Sequence, residues 1–307
     1  MRHPSPLPDD LPAIFCASEA RALGVTKERL GRGDLHAPYR GLRARGTAGA
    51  APTLREGCLR YAPRLQPWQF FSHETALALR GAPTPEWPHR PGIHVSAHRP
   101  AREPRIGGIA GHRLQSRGPM VERDGDGLPL EDPARAWRQC GTIWALDDLI
   151  VAGEFLISGK QALASIEELR AEVRVMGDVR GARLARALAE MRVGARSPRE
   201  TRLRLVLVRA GLPEPAITWD LCDDRGWFVA ELDLAYPRYR VGVEYDGRVH
   251  ADDPAQFAKD ADRWDSIRAQ DWDHVRILAH HLHGGGAPAV RKVRDALIAA
   301  GWRPGRN

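Results

Sequence analysis

Apolar positions recur at two different periods along this chain, and the changes of period mark changes of element. Over 197–211, Leu203, Val206, Leu207 and Ala210 fall on one stripe at helical spacing. Ser197 at the N-cap, Pro198 in the first turn and Glu200 three residues on form a capping box, and Gly211 is the stop. In WFVAELDLAYP (227–237) the period drops to two, with Ala230, Leu232, Leu234 and Tyr236 on one face and Glu231 and Asp233 on the other. PRYR is a connection. VGVEYDG (241–247) alternates again, setting Val241, Val243 and Tyr245 against Gly242, Glu244 and Asp246. Asp253-Pro254 opens a helix whose body is 257–270, HVRIL (274–278) is a strand, and 287–302 is a closing helix with Val290, Val293 and Leu297 inward. This order predicts an α/β domain over 195–307, a mixed sheet flanked by helices.

The front of the chain has shorter elements. FCASEARALG (15–24) predicts a helix stopped by Gly24, and Thr26 is the N-cap of a second helix that includes Leu30. HAPYRGLRAR (36–45) predicts an Arg-rich wing strand. Helix, Gly-containing turn, helix and wing define a winged helix-turn-helix-like module over 1–52. Residues 53–194 predict a mixed helical and strand connector domain. SHETALALRG (72–81) is an N-capped helix, 92–100 and 108–114 are short strands, RDGDGLP (123–129) is a turn, and 131–157 holds two apolar helices. Helix continues over 160–190, with a break near Met176-Gly177-Asp178.

Charge adds one asymmetry. The net charge is +7, and 42 of the 46 cations are arginine, with lysine only at 27, 160, 259 and 292. Residues 1–130 carry 19 cations and 12 anions, whereas 131–194 carry 9 and 10, and 195–307 carry 18 and 17. A basic front suits nucleic acid phosphates. No run approaches the roughly 18 apolar residues of a membrane span. The N-terminus lacks the apolar core of a secretory signal. The four cysteines form no CxxC pair, so neither a zinc ribbon nor a disulfide framework is expected, and a cytoplasmic location follows. His73, His94, His98 and His112 fit no metal-ligand spacing, and HHLH (280–283) with three following glycines is a surface loop.

The candidate chemistry lies in the last domain. If the strands pair around 237–240, Asp233 and Glu244 converge, and Asp246 shares the face of Glu244. Acids inside alternating apolar strands need a partner. Three carboxylates at one sheet end suit Mg²⁺ or Mn²⁺, which can polarise a phosphate oxygen and acidify a bound water. Gly247 and His250 follow.

ELDLAYP, VGVEYDGRVH and DADRWDSIRAQDWDHVRIL, in this order, resemble the Vsr-like (very-short-patch repair type) branch of the PD-(D/E)XK endonucleases over roughly 197–283. The resemblance implies a magnesium-dependent enzyme that hydrolyses phosphodiester bonds of double-stranded DNA, one strand per active site. It implies Asp233 as metal-binding aspartate, Glu244 as the second acid, Glu200 as the first-helix glutamate, His250 as general-base candidate, and Asp262-Arg263 as the pair on the following helix. The superfamily's usual lysine, two residues past the second acid, is Asp246 here. Residues 1–45 are similar to the winged helix-turn-helix of AbiEi-type antitoxins. That similarity implies the alternative function, a non-catalytic DNA-binding regulator or antitoxin retaining a nuclease fold as scaffold.

Overall fold

The computed structural model of the chain describes residues 5–46, 49–86, 88–179, 181–247 and 262–305. They form two compact units, one within Met1–Trp144 and Glu168–Arg180, the other within Ala145–Glu167 and Gly181–Asn307.

The first unit begins with strands β1 (Ile14–Cys16), β2 (Leu35–His36) and β3 (Leu42–Arg45), antiparallel in the order β1-β3-β2, and helices α1 (Ala17–Ala22) and α2 (Lys27–Leu30). Thr26 caps α2 as its position predicts, accepting the Arg29 N–H, but α2 is a single turn. Leu11, Phe15, Ala20, Val25 and Leu30 bury one another beneath these elements.

Helix α3 (Leu54–Tyr61) precedes a five-stranded sheet of β4 (Gln69–Phe71), β5 (Ile93–His98), β6 (Ile109–Leu114), β7 (Val121–Arg123) and β8 (Pro129–Glu131), ordered β6-β5-β4-β8-β7. The pairs β5–β6 and β4–β8 are parallel. Helices α4 (His73–Leu79) and α5 (Pro133–Cys140) accompany it. Ser72 stands at the predicted N-cap of α4 but does not cap; its hydroxyl pairs with His73 Nδ1 at 2.9 Å.

Helix α6 (Leu146–Ile157) belongs to the second unit, and the chain re-enters the first within α7 (Ile166–Met176). The second unit continues with α8 (Arg183–Glu190) and α9 (Pro198–Arg209). Ser197 caps α9 as read, accepting the Glu200 N–H, but the Glu200 carboxylate reaches back to the Arg196 N–H and not to that of Ser197, so half of the capping box forms. Its sheet has the order β12-β11-β10-β9, from β9 (Ala216–Cys222), β10 (Phe228–Tyr236), β11 (Val241–Asp246) and β12 (Asp273–Leu278). β11 and β12 are parallel and the other pairs antiparallel, so the sheet is mixed. Residues 262–268 are helical (α10), and α11 (Ala287–Ala299) closes the unit. One sheet face packs Leu234, Tyr236, Val243 and Ile277 against Leu203 and Leu207 of α9 and Val293 and Leu297 of α11. The other packs Ala230, Leu232 and Ala235 against Ile267 and Trp272. Among the described residues no helix is long and apolar enough to cross a membrane.

Two features of this sheet depart from the sequence reading. First, β9 is a strand at a place where no element is expected. Second, the alternation of β10 breaks: Leu232 and Leu234 lie against opposite apolar layers. The register pairs Leu232 with Trp219 and Leu234 with Ile217, which places the break at Asp233 and Thr218. Thr218 has a φ of 48°, in the left-handed region that a β-branched residue seldom adopts.

Candidate functional site

β10 and β11 pair with Leu234 opposite Val243, so the next pair outward is Asp233 and Glu244. Instead of extending the ladder, Asp233 Oδ2 accepts the Tyr245 N–H at 2.9 Å. Asp233, Glu244 and Asp246 line a pocket of about 220 Å³ with Arg263, Trp264 and Arg276. The strands thus bring together the three acids that the sequence singled out.

Each acid has a different environment. Glu244 is buried, and Arg263 donates to both of its oxygens, Nη2 at 2.5 Å and Nη1 at 3.3 Å. His274 Nε2 also lies 3.0 Å from Glu244 Oε2, without hydrogen-bond geometry. Asp246 Oδ2 accepts from Arg276, through Nε at 2.9 Å and through Nη2. The parallel register that sets Arg276 beside Glu244 brings this guanidinium to the acid face, where it also lies 4.8 Å over the Trp264 ring. Among the described residues no cationic side chain bonds Asp233. Burial, then the charge of Glu200, and to a smaller extent that of Glu244, push its carboxyl up to about 6 against the pull of the Tyr245 N–H.

Glu200 has two roles. It accepts Ser197 Oγ at 2.7 Å and the Arg196 N–H at 3.0 Å, and its negative charge bears on Asp233. Arg263 turns into the pocket, while its neighbour Asp262 is exposed. His250 lies outside the described residues, as do 248–261.

The histidines of the middle segment need a correction. Read as scattered, His73, His94 and His112 stand together, with one ligand atom from each lying within 4.8 Å of the others. No sequence spacing announces them, because two come from parallel strands and the third from a helix start.

No family model matches the sequence. Two uncharacterized proteins of Mycobacterium tuberculosis, MT2308 of strain CDC 1551 and Rv2248 of strain H37Rv, are each 28% identical to it over 230 residues, covering 74% of this chain and 82% of their own length. The crystal structure of the RV2827C protein from the same species aligns with a TM-score of 0.40 and 16% identity, covering 63% of this chain and 75% of that one.

Proposed function

We propose that the second unit is a metal-dependent DNA endonuclease acting at the Asp233, Glu244 and Asp246 pocket. The observation that carries this reading is Asp233, a carboxyl pushed up to about 6 beside two further acids and, among the described residues, bonded to no cationic side chain. An all-oxygen donor set of this charge fits Mg²⁺ or Mn²⁺ better than a softer ion. Asp233, Glu244 and Asp246 would hold it, and the ion would supply neutralisation of phosphoryl charge and an acidified water. The mixed sheet with helices on both faces is compatible with the PD-(D/E)XK resemblance of the motifs.

The chain's own residues contribute positioning. Arg263 and Arg276 hold carboxylates in the resting protein. A guanidinium binds phosphate oxygens with the same fork geometry, so substrate phosphates can take over both arginines and release Glu244 and Asp246. Trp264 offers a ring at the pocket wall. The basic first unit, whose β1–β3 sheet with α1 and α2 is the region similar to a winged helix-turn-helix, would grip the duplex through its phosphates.

The two arginine–carboxylate pairs also favour a second reading, a non-catalytic DNA-binding regulator in which they merely neutralise a retained scaffold. Nicking of supercoiled plasmid by the full chain, with Mg²⁺, Mn²⁺ or EDTA, separates the two. Cleavage with Mg²⁺ that is lost in EDTA and in Asp233→Asn supports the nuclease. Retention of DNA without cleavage under any ion supports the regulator. Wild-type cleavage by Asp233→Asn sinks the assigned site.

A further inference from the structure

We infer that the first unit carries a site for one divalent transition-metal ion of the zinc class, held by His73, His94 and His112. Neither the family resemblance nor the proposed nuclease pocket, which lies in the other unit, bears on it.

The fold builds the cluster from three directions. β5 and β6 run parallel with His94 beside Ala110 and Ser96 beside His112, so both histidines project from one face. Their rings lie 9° from parallel, with centroids 5.0 Å apart. His73 comes from the first residue of α4, and its ring stacks on His112 at 3.8 Å. Its φ is 51°, a left-handed conformation that costs free energy at a residue with a Cβ. Gln139 Oε1 stabilises this backbone by accepting the His73 N–H at 3.1 Å. Strain at the residue that presents a buried imidazole accords with a functional position.

The outer partners of His73 and His94 leave one nitrogen of each of these rings facing the cluster. His73 Nδ1 is engaged by Ser72 Oγ at 2.9 Å, and Ser72 Oγ accepts from Ser96 Oγ at 2.6 Å. His73 Nε2 is therefore its ligand atom. His94 Nε2 lies 3.3 Å from Glu74 Oε1, which leaves Nδ1, itself 2.8 Å from His112 Nε2. Histidine backed by carboxylate is the common outer arrangement of zinc sites, fixing the tautomer and raising ligand basicity. Glu74 does not itself serve as a ligand. Its oxygens already accept from Trp144 Nε1 at 2.9 Å and the Gly92 N–H at 2.7 Å, and His89 Nε2 lies at 2.7 Å.

Imidazole nitrogens suit zinc and are poor ligands for Mg²⁺. Three protein ligands would leave the fourth tetrahedral position to water.

The test uses the full chain, stripped with chelator and returned to buffer with millimolar Mg²⁺ to occupy oxygen-donor sites. Zn²⁺ is titrated calorimetrically, and Co²⁺ is followed by its visible absorption. The expected result is one tight Zn²⁺ per chain and an intense, tetrahedral-type Co²⁺ band. His112→Asn and His94→Gln should each lower affinity by more than the 10–100-fold that outer partners are typically worth. The triple variant His280→Asn, His281→Asn, His283→Asn should bind as wild type. Absence of tight Zn²⁺ binding by wild type, or wild-type affinity in both cluster variants, overturns the site. If the cluster variants misfold by circular dichroism, the Co²⁺ spectrum of wild type decides, and an octahedral-type spectrum overturns the proposal.

Discussion

Asp233 and Tyr245 are joined by one hydrogen bond, 2.9 Å from the Tyr245 N–H to Oδ2, where the next rung of the β10–β11 ladder would otherwise form. A side chain thus stands in for a backbone carbonyl at the point where β10 changes faces. Asp233 is tied down by this geometry although its charge is opposed by burial, Glu200 and Glu244.

Asp233→Asn keeps the acceptor and removes the charge. In metal-free buffer it is expected to raise stability by about 1–2 kcal/mol, because a buried carboxylate among like charges is relieved. The same variant should lose plasmid nicking. Chemical denaturation in EDTA and the nicking assay read the two effects separately. A less stable variant would contradict the electrostatic account.

Arg204 of α9 and Glu154 of α6 form a pair shut off from solvent, with Nη2 2.5 Å from Oε1 and side-chain exposures of 2% and 0%. Thr201 Oγ1 and the Arg192 N–H also donate to Glu154. Arg204→Met would strand that carboxylate, at a cost of about 3–5 kcal/mol. Adding Glu154→Leu should recover most of the loss. Melting temperatures of the single and double variants check this, and equal losses in both would contradict it.

Glu131 is fully buried, with a bond from Gln139 Nε2 at 3.1 Å and no hydrogen-bond partner for Oε1. Burial pushes its carboxyl up to about 7, partly offset by Gln139 and Arg135. A carboxyl raised on folding contributes stability that is full below its unfolded value of about 4.5 and is lost as pH rises through 7. Glu131→Gln should therefore gain on wild type by up to about 3 kcal/mol between pH 5 and pH 8. Urea midpoints across that range test it, and parallel curves would count against it.

Gly242 lies where a Cβ would sit 2.9 Å from Leu232 Cδ1, and Leu232 is fully buried. Gly242→Ala is expected to cost about 1–3 kcal/mol through overpacking. Gly177→Ala, in open space but at a φ of 75°, should cost less, from backbone strain alone. Denaturation midpoints of the two variants rank the effects.

Local signals carried through to the structure. Ser197 caps α9 and Thr26 caps α2 because an N-cap hydroxyl needs only the N–H three residues on, which the local sequence supplies. Val290, Val293 and Leu297 are buried because one helical stripe decides their side. The acids Asp233, Glu244 and Asp246 were legible because a short connection forces their strands to pair. What stayed hidden depends on distant pieces. The change of face at Asp233 is shared with Thr218, whose left-handed backbone has no signature in a threonine. Arg276 meets Asp246 only because β12 lies parallel to β11. The His73, His94 and His112 cluster needs two parallel strands and the start of α4 before any of its members are neighbours.

The excursion of α6 into the second unit, before the chain returns through α7, has a consequence for inheritance. Arg117 holds Glu172 at 2.8 Å and Arg138 donates to the carbonyls of Met176 and Gly177, so the first unit needs residues that follow α6. The second unit needs α6 itself, for Glu154. A single recombination breakpoint between Ala145 and Arg180 therefore leaves one unit with an orphaned charge or a missing segment. Exchange of one intact module between relatives requires three breakpoints, which favours transmission of the two units as a single genetic cassette.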